Sequence, residues 1–424
     1  MRYFDSSAWM RRLESEAVLP EGFQAAAASM DFVPAEKPDA GKQNMNLAVI
    51  RLEEPTVSFA GVFTRNAFPG WPVVAGRRLL DAPAVQGLLV NNRVANVGAA
   101  GGLEDSQRLS RLTAELSGAE GPYFQSSTGV IGWKLPITEM EAVLPGLCEA
   151  PSDDSLLPFA RAIMTTDAWP KIRSSNCGGG RIVATAKGAG MVEPDMATML
   201  AFFLTDVDIP RDIARRMLPE VVANTFNRIS IDGEMSTSDT VLFFSSRRKP
   251  YPGDAEFRRS LTETAAALSE DVVRNGEGCG HVIKITVSGL DDEIKAASIA
   301  RSIANAPLTK TAVRGNDPNV GRIIQALGAA CGGSGLDLNR DVLELSIGDE
   351  AIYGKGRFLL NEEKEASLIE YLKKRELPVP PLGWPPHEEC VQVTITLGDG
   401  RSSATVIGSD LSEEYVKINA DYRT

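Results

Sequence analysis

The segment from Lys187 to Leu200 holds the residues best suited to chemistry. Its sequence, Lys-Gly-Ala-Gly-Met-Val-Glu-Pro-Asp-Met-Ala-Thr-Met-Leu, places Thr198 directly after the small residue Ala197. A threonine hydroxyl is a weak nucleophile, but a threonine at a newly made amino terminus has its own α-amine as general base. The segment therefore predicts self-cleavage between Ala197 and Thr198, with no need for a histidine or a metal. An ordinary tight loop leading to a strand is the alternative interpretation.

A second glycine-containing loop favours the chemical interpretation. The loop Ser126–Gly132 reads Ser-Ser-Thr-Gly-Val-Ile-Gly and follows the strand-like pair Tyr123-Phe124. Glycine lets a backbone N–H approach a reacting carbonyl oxygen, and a neighbouring threonine hydroxyl can donate beside it. Such a pair meets the requirement of an oxyanion hole.

Composition excludes several classes of protein. The 424 residues carry a net charge of −12, with 43% hydrophobic and 24% charged residues, which is typical of a soluble globular protein. The negative charge argues against binding to nucleic acid or to an anionic membrane. No run approaches 18 apolar residues and the amino terminus has no apolar signal core, so a cytoplasmic enzyme acting on small molecules is expected.

Cysteine and histidine are too sparse to suggest a metal centre. The five cysteines show no CxxC pair, and the two histidines, His281 and His387, have no metal-ligand spacing. Neither a disulfide framework, a metal site nor a Ser-His-Asp enzyme is predicted. A dyad of Cys279 and His281 is disfavoured because no orienting third group is evident.

Hydrophobic periodicity predicts an α+β protein with layers of helices on mixed and antiparallel sheets, not a doubly wound parallel fold. The first 45 or so residues are expected to be irregular apart from a short helix at 7–17. Strands are predicted at 46–52, 57–63, 85–90, 200–207, 240–245, 283–288 and 391–397. Helices are predicted at 105–116, 211–227, 254–273, 291–306 and 362–375.

Ten short motifs in order cover nearly the whole chain. They are Leu19–Phe23, Gly61–Thr64, Ser127–Gly132, Thr165–Asp167, Lys187–Leu200, Asn227–Ile229, Asp232–Glu234 with Ser236–Thr240, Gly276–Gly278, Gly315–Asn319 and Glu413–Tyr422. Together they resemble the ornithine acetyltransferase family, the bifunctional glutamate N-acetyltransferases of arginine biosynthesis. The resemblance implies the layered α+β sandwich that this family shares with β-aminopeptidases.

The resemblance also implies a mechanism. Cleavage by an N-to-O acyl shift would give an α chain, 1–197, and a β chain, 198–424, that begins with the nucleophile Thr198. The enzyme would then move an acetyl group from N2-acetylornithine to glutamate by a ping-pong reaction through acetyl-Thr198. No cofactor is implied, acetyl-CoA is a candidate co-substrate, and two αβ heterodimers are expected to associate.

Site residues follow from the matched motifs. Thr128 and Gly129 correspond to the positions that hold the oxyanion. The family's substrate-contact positions correspond to Thr165, Lys187, Glu277, Asn419 and Thr424. Among these, Lys187 suits an α-carboxylate and Glu277 suits an ammonium group.

Two segments depart from the family pattern. Arg93 stands in Asn91–Val97 where the family has a glycine, and Gly278-Cys-Gly-His281 replaces Gly-Ala-Thr-Lys after Glu277. The substrate is therefore less firmly predicted than the reaction, and a relative acetylating another amino acid in specialised metabolism is an alternative. Two further alternatives are an N-terminal-nucleophile amidase or aminopeptidase and an uncleaved binding protein.

Overall fold

The computed structural model describes residues 1–152, 154–193 and 199–421. Its helices are α1 (Ser6–Glu16), α2 (Trp71–Leu79), α3 (Gly102–Leu116), α4 (Ile137–Glu149), α5 (Leu157–Ala162), α6 (Arg211–Asn224), α7 (Asp254–Arg274), α8 (Glu293–Ala304), α9 (Pro307–Arg314), α10 (Val320–Gly333), α11 (Glu362–Lys373) and α12 (Glu413–Asp421). Its strands are β1 (Phe23–Phe32), β2 (Gln43–Thr56), β3 (Phe59–Phe63), β4 (Val85–Asn91), β5 (Tyr123–Ser127), β6 (Lys171–Cys177), β7 (Gly180–Lys187), β8 (Leu200–Val207), β9 (Ile229–Ser230), β10 (Thr240–Lys249), β11 (Val282–Gly289), β12 (Glu344–Ile347), β13 (Glu350–Gly354), β14 (Arg357–Phe358), β15 (Val391–Thr396) and β16 (Gly400–Ser409).

The chain divides into two compact units. In the described residues, the N-terminal unit comprises 10–227 and 234–272, and the C-terminal unit comprises 1–9, 228–233 and 273–421. No helix in the part of the chain that the structure describes is long and apolar enough to cross a membrane.

Two sheets form the centre of the N-terminal unit. A four-stranded sheet has the order β1-β2-β4-β5, and a five-stranded sheet has the order β3-β10-β8-β7-β6. Strands β4 and β5 are parallel, as are β8 and β10, and the other neighbours are antiparallel. This mixed arrangement confirms the α+β prediction.

Aromatic side chains join these two sheets. Phe244 of β10 meets Phe124 of β5 edge to face with ring centroids 5.8 Å apart, and Phe124 meets Phe59 of β3 at 6.0 Å. The adjacent Phe243 points the other way and contacts Phe257 of α7 at 6.0 Å. Because successive side chains of a strand point to opposite faces, β10 is covered by a sheet on one side and a helix on the other. Its continuous apolar run follows from this double burial.

Helices α3 and α4 cover the outer face of the four-stranded sheet. Leu109 of α3 and Met140 of α4 are fully buried in one cluster with Leu47 and Leu89 of β2 and β4. The N-terminal unit thus has four layers, helix, sheet, sheet and helix. This construction places the ends of β5 and β7 and the start of β8 inside one unit, with Thr128, Gly129 and Lys187.

The C-terminal unit is a seven-stranded sheet, β14-β13-β12-β15-β11-β16-β9, covered on one face. Ile283, Ile285 and Val287 of β11 share a buried cluster with Ile299 of α8 and Leu327 of α10. On the other face, Thr286 and Thr405 share a hydroxyl hydrogen bond of 2.9 Å. The alternation in β11 and β15 therefore reflects a sheet that is covered on one face, and these two strands run parallel to each other.

Several sequence predictions were wrong. The first 45 residues are not irregular, because β1 pairs with β2 from Phe23↔Leu52 to Phe32↔Gln43. Its four consecutive alanines have little β propensity, and pairing with β2 decides their conformation. The hairpin of β6 and β7 was also missed because the polar residues of β6 hide its pattern. The predicted helix 291–306 is shorter, since Asp292 caps α8 and a separate helix, α9, begins at Pro307.

The contact between the sheets makes a testable prediction. Phe244→Ala is expected to lower the free energy of unfolding by about 3–5 kcal/mol, since it opens a cavity among buried rings. Phe4 is 98% exposed, so Phe4→Ala serves as the control with an expected change below about 0.5 kcal/mol. Urea unfolding measures both, and equal effects would contradict the packing described.

Candidate active site

The loop after β5 presents two hydrogen-bond donors. Gly129 has φ +126, and a Cβ at this position would lie 2.2 Å from the carbonyl carbon of Arg93, so only glycine fits. The Thr128 N–H donates to the Asn91 carbonyl at 3.1 Å, while in the described residues the Gly129 N–H has no acceptor. The Gly129 N–H and the Thr128 hydroxyl are therefore available to hold an oxyanion.

Arg93 takes over the backbone role of the glycine that it replaces. Its φ is +71, the left-handed conformation that glycine adopts freely and other residues adopt at a cost of about 1 kcal/mol or more. Its carbonyl accepts from the Val130 N–H at 2.9 Å, and its guanidinium donates to Gln43. Arg93 therefore adopts a backbone conformation that glycine would also allow, and its carbonyl supports the loop that seats Gly129.

Lys187 reaches the oxyanion loop from the end of β7. Its Nζ donates to the Thr128 Oγ1 at 2.9 Å. Because that bond uses an oxygen lone pair, the Thr128 hydroxyl hydrogen is free to point elsewhere, and the neighbouring ammonium makes it a stronger donor. Lys187 also pairs in register with Leu200, the first residue of β8.

Asp167 links the segment of this lysine to residues 165–171. Its fully buried carboxylate pairs with Lys171 and accepts from the N–H groups of Thr165 at 2.9 Å and Gly188 at 2.8 Å. Burial alone raises the pKa of Asp167, but the charges of Lys171 and Lys187 and the Gly188 N–H outweigh it, so the pKa lies well below its ordinary value. Asp167 is therefore a permanent anion that fixes Thr165 and the residue after Lys187.

Asp239 lies at the start of β10, beside the start of β8. The Thr240 N–H donates to the Met199 carbonyl at 2.9 Å, and the Thr64 N–H donates to the Asp239 carbonyl at 2.9 Å. Burial raises the pKa of the Asp239 carboxyl well above its ordinary value, and the charge of Lys187 offsets this only in part. Two carboxyl groups near Lys187 are thus tuned in opposite directions, a pattern typical of sites that move protons.

The C-terminal unit brings Glu277 and Asn419 together. The Asn419 Nδ2 donates to the Glu277 Oε2 at 2.8 Å and to the Tyr415 carbonyl at 3.0 Å. Gly278 has φ +65, and a Cβ there would lie 2.5 Å from the Tyr415 nitrogen, so α12 can rest directly on this turn. Two residues that the sequence placed 142 positions apart are direct neighbours.

His281 has a structural role in the second departing segment. Its ring is fully buried, with Nδ1 2.9 Å from the Asp410 Oδ2 and Nε2 3.3 Å from the Leu372 carbonyl. Asp410 also accepts from the Gly280 N–H at 2.8 Å, which anchors the turn after Glu277. An orienting third group for His281 therefore exists, contrary to the sequence-based argument. The dyad is still absent, since Cys279 Sγ donates to the His281 carbonyl and burial raises the pKa of that thiol.

Three predicted residues, Ala197, Thr198 and Thr424, lie outside the described residues. Thr165, Lys187, Thr128 and Gly129 belong to the N-terminal unit, and Glu277 and Asn419 to the C-terminal unit. No group of three or more His, Cys, Asp or Glu side chains in the described part of the chain is arranged to hold a metal ion.

Sequence reasoning missed Asp167, Lys171 and Asp239. Asp167 and Asp239 lie within motifs that the sequence singled out, Thr165–Asp167 and Ser236–Thr240. An aspartate in an otherwise uncharged motif beside buried strands was the available signal, because such a carboxyl must be paired or protonated.

The fold and this site define a layered α+β protein with a donor pair suited to acyl transfer at the end of a buried strand. The model of the ArgJ family matches residues 35–424, and the chain belongs to that family. The arginine biosynthesis bifunctional protein of Bartonella quintana (strain Toulouse) is 37% identical over 404 residues, 90% of this chain and 92% of the relative. That of Rhodococcoides fascians is 33% identical and covers 97% of this chain and 96% of its own.

A solved structure, the arginine biosynthesis bifunctional protein of Bacillus halodurans, is 29% identical with a TM-score of 0.46. It covers 53% of this chain and 100% of the crystallised chain. Membership in the ArgJ family confirms the resemblance drawn from the ten motifs.

The opposite tuning of the two aspartates is testable. Asp167→Asn leaves Lys171 buried without its counter-charge and is expected to lower the free energy of unfolding at pH 7 by about 3–5 kcal/mol. The Asp167 contribution is present above the ordinary pKa of 3.8 and is lost as pH falls, so this deficit shrinks under acid. Asp239→Asn is expected to leave the free energy of unfolding at pH 7 unchanged or higher. A carboxyl group whose pKa is raised by folding stabilises the protein at low pH, and this stabilisation is lost as the pH rises, so little remains to lose at pH 7.

Urea unfolding between about pH 2 and 8 compares the two variants, since the Asp167 contribution is lost only below its ordinary pKa. Asp208→Asn, which removes an exposed partner of Arg247, is the control with an expected loss under about 1 kcal/mol. Equal losses for Asp167→Asn and Asp239→Asn at pH 7 would show that the assignment of their charge states is wrong.

Proposed function

We propose that this chain is a self-processing glutamate N-acetyltransferase that moves an acetyl group from N2-acetylornithine to glutamate through an acetyl-Thr198 ester. One observation carries the proposal: the Thr128 hydroxyl, which accepts from Lys187, lies beside the Gly129 N–H, which has no acceptor among the described residues, and Lys187 pairs with the first residue of β8. The names of the ArgJ relatives, arginine biosynthesis bifunctional proteins, support this choice of pathway.

The first reaction is cleavage of the chain. The Thr198 hydroxyl attacks the Ala197 carbonyl carbon, the C–N bond breaks, and the Thr198 nitrogen takes the proton as an amine. The resulting ester between Ala197 and the Thr198 oxygen is opened by water, which leaves a carboxylate on Ala197 and frees the hydroxyl. The free α-amine of Thr198 is then the general base for later steps.

Acetyl transfer uses the same hydroxyl twice. The α-amine takes the Thr198 hydroxyl proton as the oxygen attacks the acetyl carbon, and the proton passes to the departing N2 of ornithine. Glutamate then attacks the ester through its amine, and N-acetylglutamate leaves as the hydroxyl is restored. Both tetrahedral intermediates place negative charge on the former carbonyl oxygen, which the Thr128 hydroxyl and the Gly129 N–H stabilise.

Substrate contacts are assigned by chemistry. Lys187 supplies a cation for an α-carboxylate, and Thr165, fixed by Asp167, lies in the same unit. Asn419 donates to one oxygen of Glu277 and so orients the other toward an ammonium group. A lysine that pairs with a carboxylate and a glutamate that pairs with an ammonium group suit an amino-acid substrate. Thr424 completes the proposed set of substrate contacts.

Further parts of the proposal concern donors and assembly. Acetyl-CoA is a candidate second donor, and no cofactor is required because the nucleophile carries its own base. Two αβ heterodimers are proposed to associate in the cytoplasm, with no role for nucleic acid or membrane.

Thr198→Ala is expected to abolish both processing and transfer, because it removes the attacking oxygen from each reaction. Intact mass under denaturing conditions is the measurement for cleavage: the wild-type protein gives two fragments broken between Ala197 and Thr198, and the variant stays at 45.5 kDa. Thr311→Ala, in an exposed turn of α9, is the control that processes normally. A full-length wild-type chain that transfers acetyl groups would refute the mechanism.

Thr128→Ala is expected to slow acetyl transfer about 10²- to 10³-fold in processed protein, because one oxyanion donor is lost. The measurement is kcat for ornithine release from N2-acetylornithine, with processed protein isolated before assay. Acetate release that does not depend on glutamate would instead identify an amidase. Transfer from a different acetylated amino acid at a higher kcat/KM would identify a relative with another substrate.

A further inference from the structure

A cleft separates α2, α3 and β5 in the N-terminal unit, away from the residues assigned to acetyl transfer. It encloses about 280 Å³. Its apolar wall includes Ala75, Leu79 and Phe124, and its polar wall includes Ser106 and Gln125. A cleft of this size with an apolar wall and a few polar groups suits a small organic ligand.

Two arginines give the cleft a positive rim. Arg78 of α2 and Arg111 of α3 both line it, both are exposed, and in the described residues neither guanidinium has a hydrogen bond or ion pair. Their neighbours differ, since Arg77 donates to the Thr64 carbonyl and Arg108 pairs with Glu141. Two cations without partners at one cleft favour an anionic ligand, because a guanidinium matches a carboxylate or a phosphate in shape.

A chain of buried hydrogen bonds links the cleft to the oxyanion loop. The Ser106 hydroxyl donates to the Gln125 Oε1 at 2.5 Å, and the Gln125 Nε2 donates to the Ser127 Oγ at 2.8 Å and the Asn91 Oδ1 at 3.0 Å. The Asn91 carbonyl accepts the Thr128 N–H. All of these side chains are at most 7% exposed, so a shift of one must be matched by the next.

We propose that the cleft between α2, α3 and β5 binds a small organic anion with an apolar body, held by Arg78 and Arg111, and that binding alters the oxyanion loop through Ser106, Gln125 and Asn91. The ligand chemistry is a carboxylate or phosphate attached to a ring or alkyl group. Its charge lies on the arginine rim and its apolar part lies on Ala75 and Leu79, which are partly exposed. The site goes beyond the proposed acetyl transfer and does not depend on it.

Calorimetry with benzoate, phenyl phosphate and the neutral isostere benzamide tests the binding claim on the full chain. Benzoate or phenyl phosphate is expected to bind with a Kd on the order of 1 mM, and the tighter of the two identifies the headgroup. The double variant Arg78→Gln with Arg111→Gln is expected to weaken binding at least about tenfold, while Arg108→Gln on the same helix leaves it unchanged. Benzamide binding as tightly as the anions, or a double variant that binds like Arg108→Gln, overturns the site.

Hydrogen exchange measured by mass spectrometry tests the coupling. The anion that binds is expected to slow amide exchange at least about twofold in the peptide that spans residues 124–131. Ser106→Ala removes the first link and is expected to keep binding but lose this protection. Unchanged exchange in the wild-type protein overturns the coupling. Calorimetry and hydrogen exchange both need no acetyl transfer. A negative result in either therefore does not contradict the proposed acetyl transfer, and an inactive enzyme would still give a valid test of anion binding.

Discussion

The buried carboxylate of Asp167 holds two segments of the N-terminal unit together, residues 165–171 and the residues at the end of β7. It pairs with Lys171 at the start of β6, accepts from the Thr165 N–H before that strand, and accepts from the Gly188 N–H after β7. Since Gly188 follows Lys187, the position of the lysine depends on this anion. The lysine in turn sets the direction of the Thr128 hydroxyl. A charge that is buried and paired therefore helps to fix the lysine that contacts the Thr128 hydroxyl.

The pKa values of Asp167 and Asp239, the two carboxyl groups near Lys187, depend on the hydrogen bonds and charges that the protein places around each of them. Asp167 accepts two backbone N–H groups and faces two lysines, so its charged form is favoured. Asp239 is equally buried, but burial dominates and its neutral form is favoured. The two aspartates differ in partners, not in exposure. The two buried aspartates near Lys187 therefore differ in charge state, and the neutral one keeps a proton that it can donate.

Sequence could predict the fold class and most of the longer elements because their periodicities reflect burial. The alternation in β11 reports a half-covered sheet, and the apolar run of β8 reports burial on both faces. It could not predict β1, whose alanines take their conformation from β2, or the polar hairpin of β6 and β7. For the site, motifs located Thr128, Gly129 and Lys187, but the partnership of Asp167 with Lys171 depends on tertiary contacts that no local pattern records. Residue type alone could not predict that Arg93 adopts the left-handed backbone conformation that favours glycine.

The order of strands in the five-stranded sheet has a consequence for a chain cut after Ala197. Strands β8 and β10 come after the cut, and they are bordered by β7 on one side and β3 on the other, both from before it. Six residue pairs join β7 to β8 and five join β3 to β10. Neither piece can complete its own sheet, so each alone would expose two open strand edges to other chains. In such a cut chain the two pieces would be complementing fragments, held together by backbone ladders instead of a peptide bond, and their separate synthesis would favour aggregation over assembly.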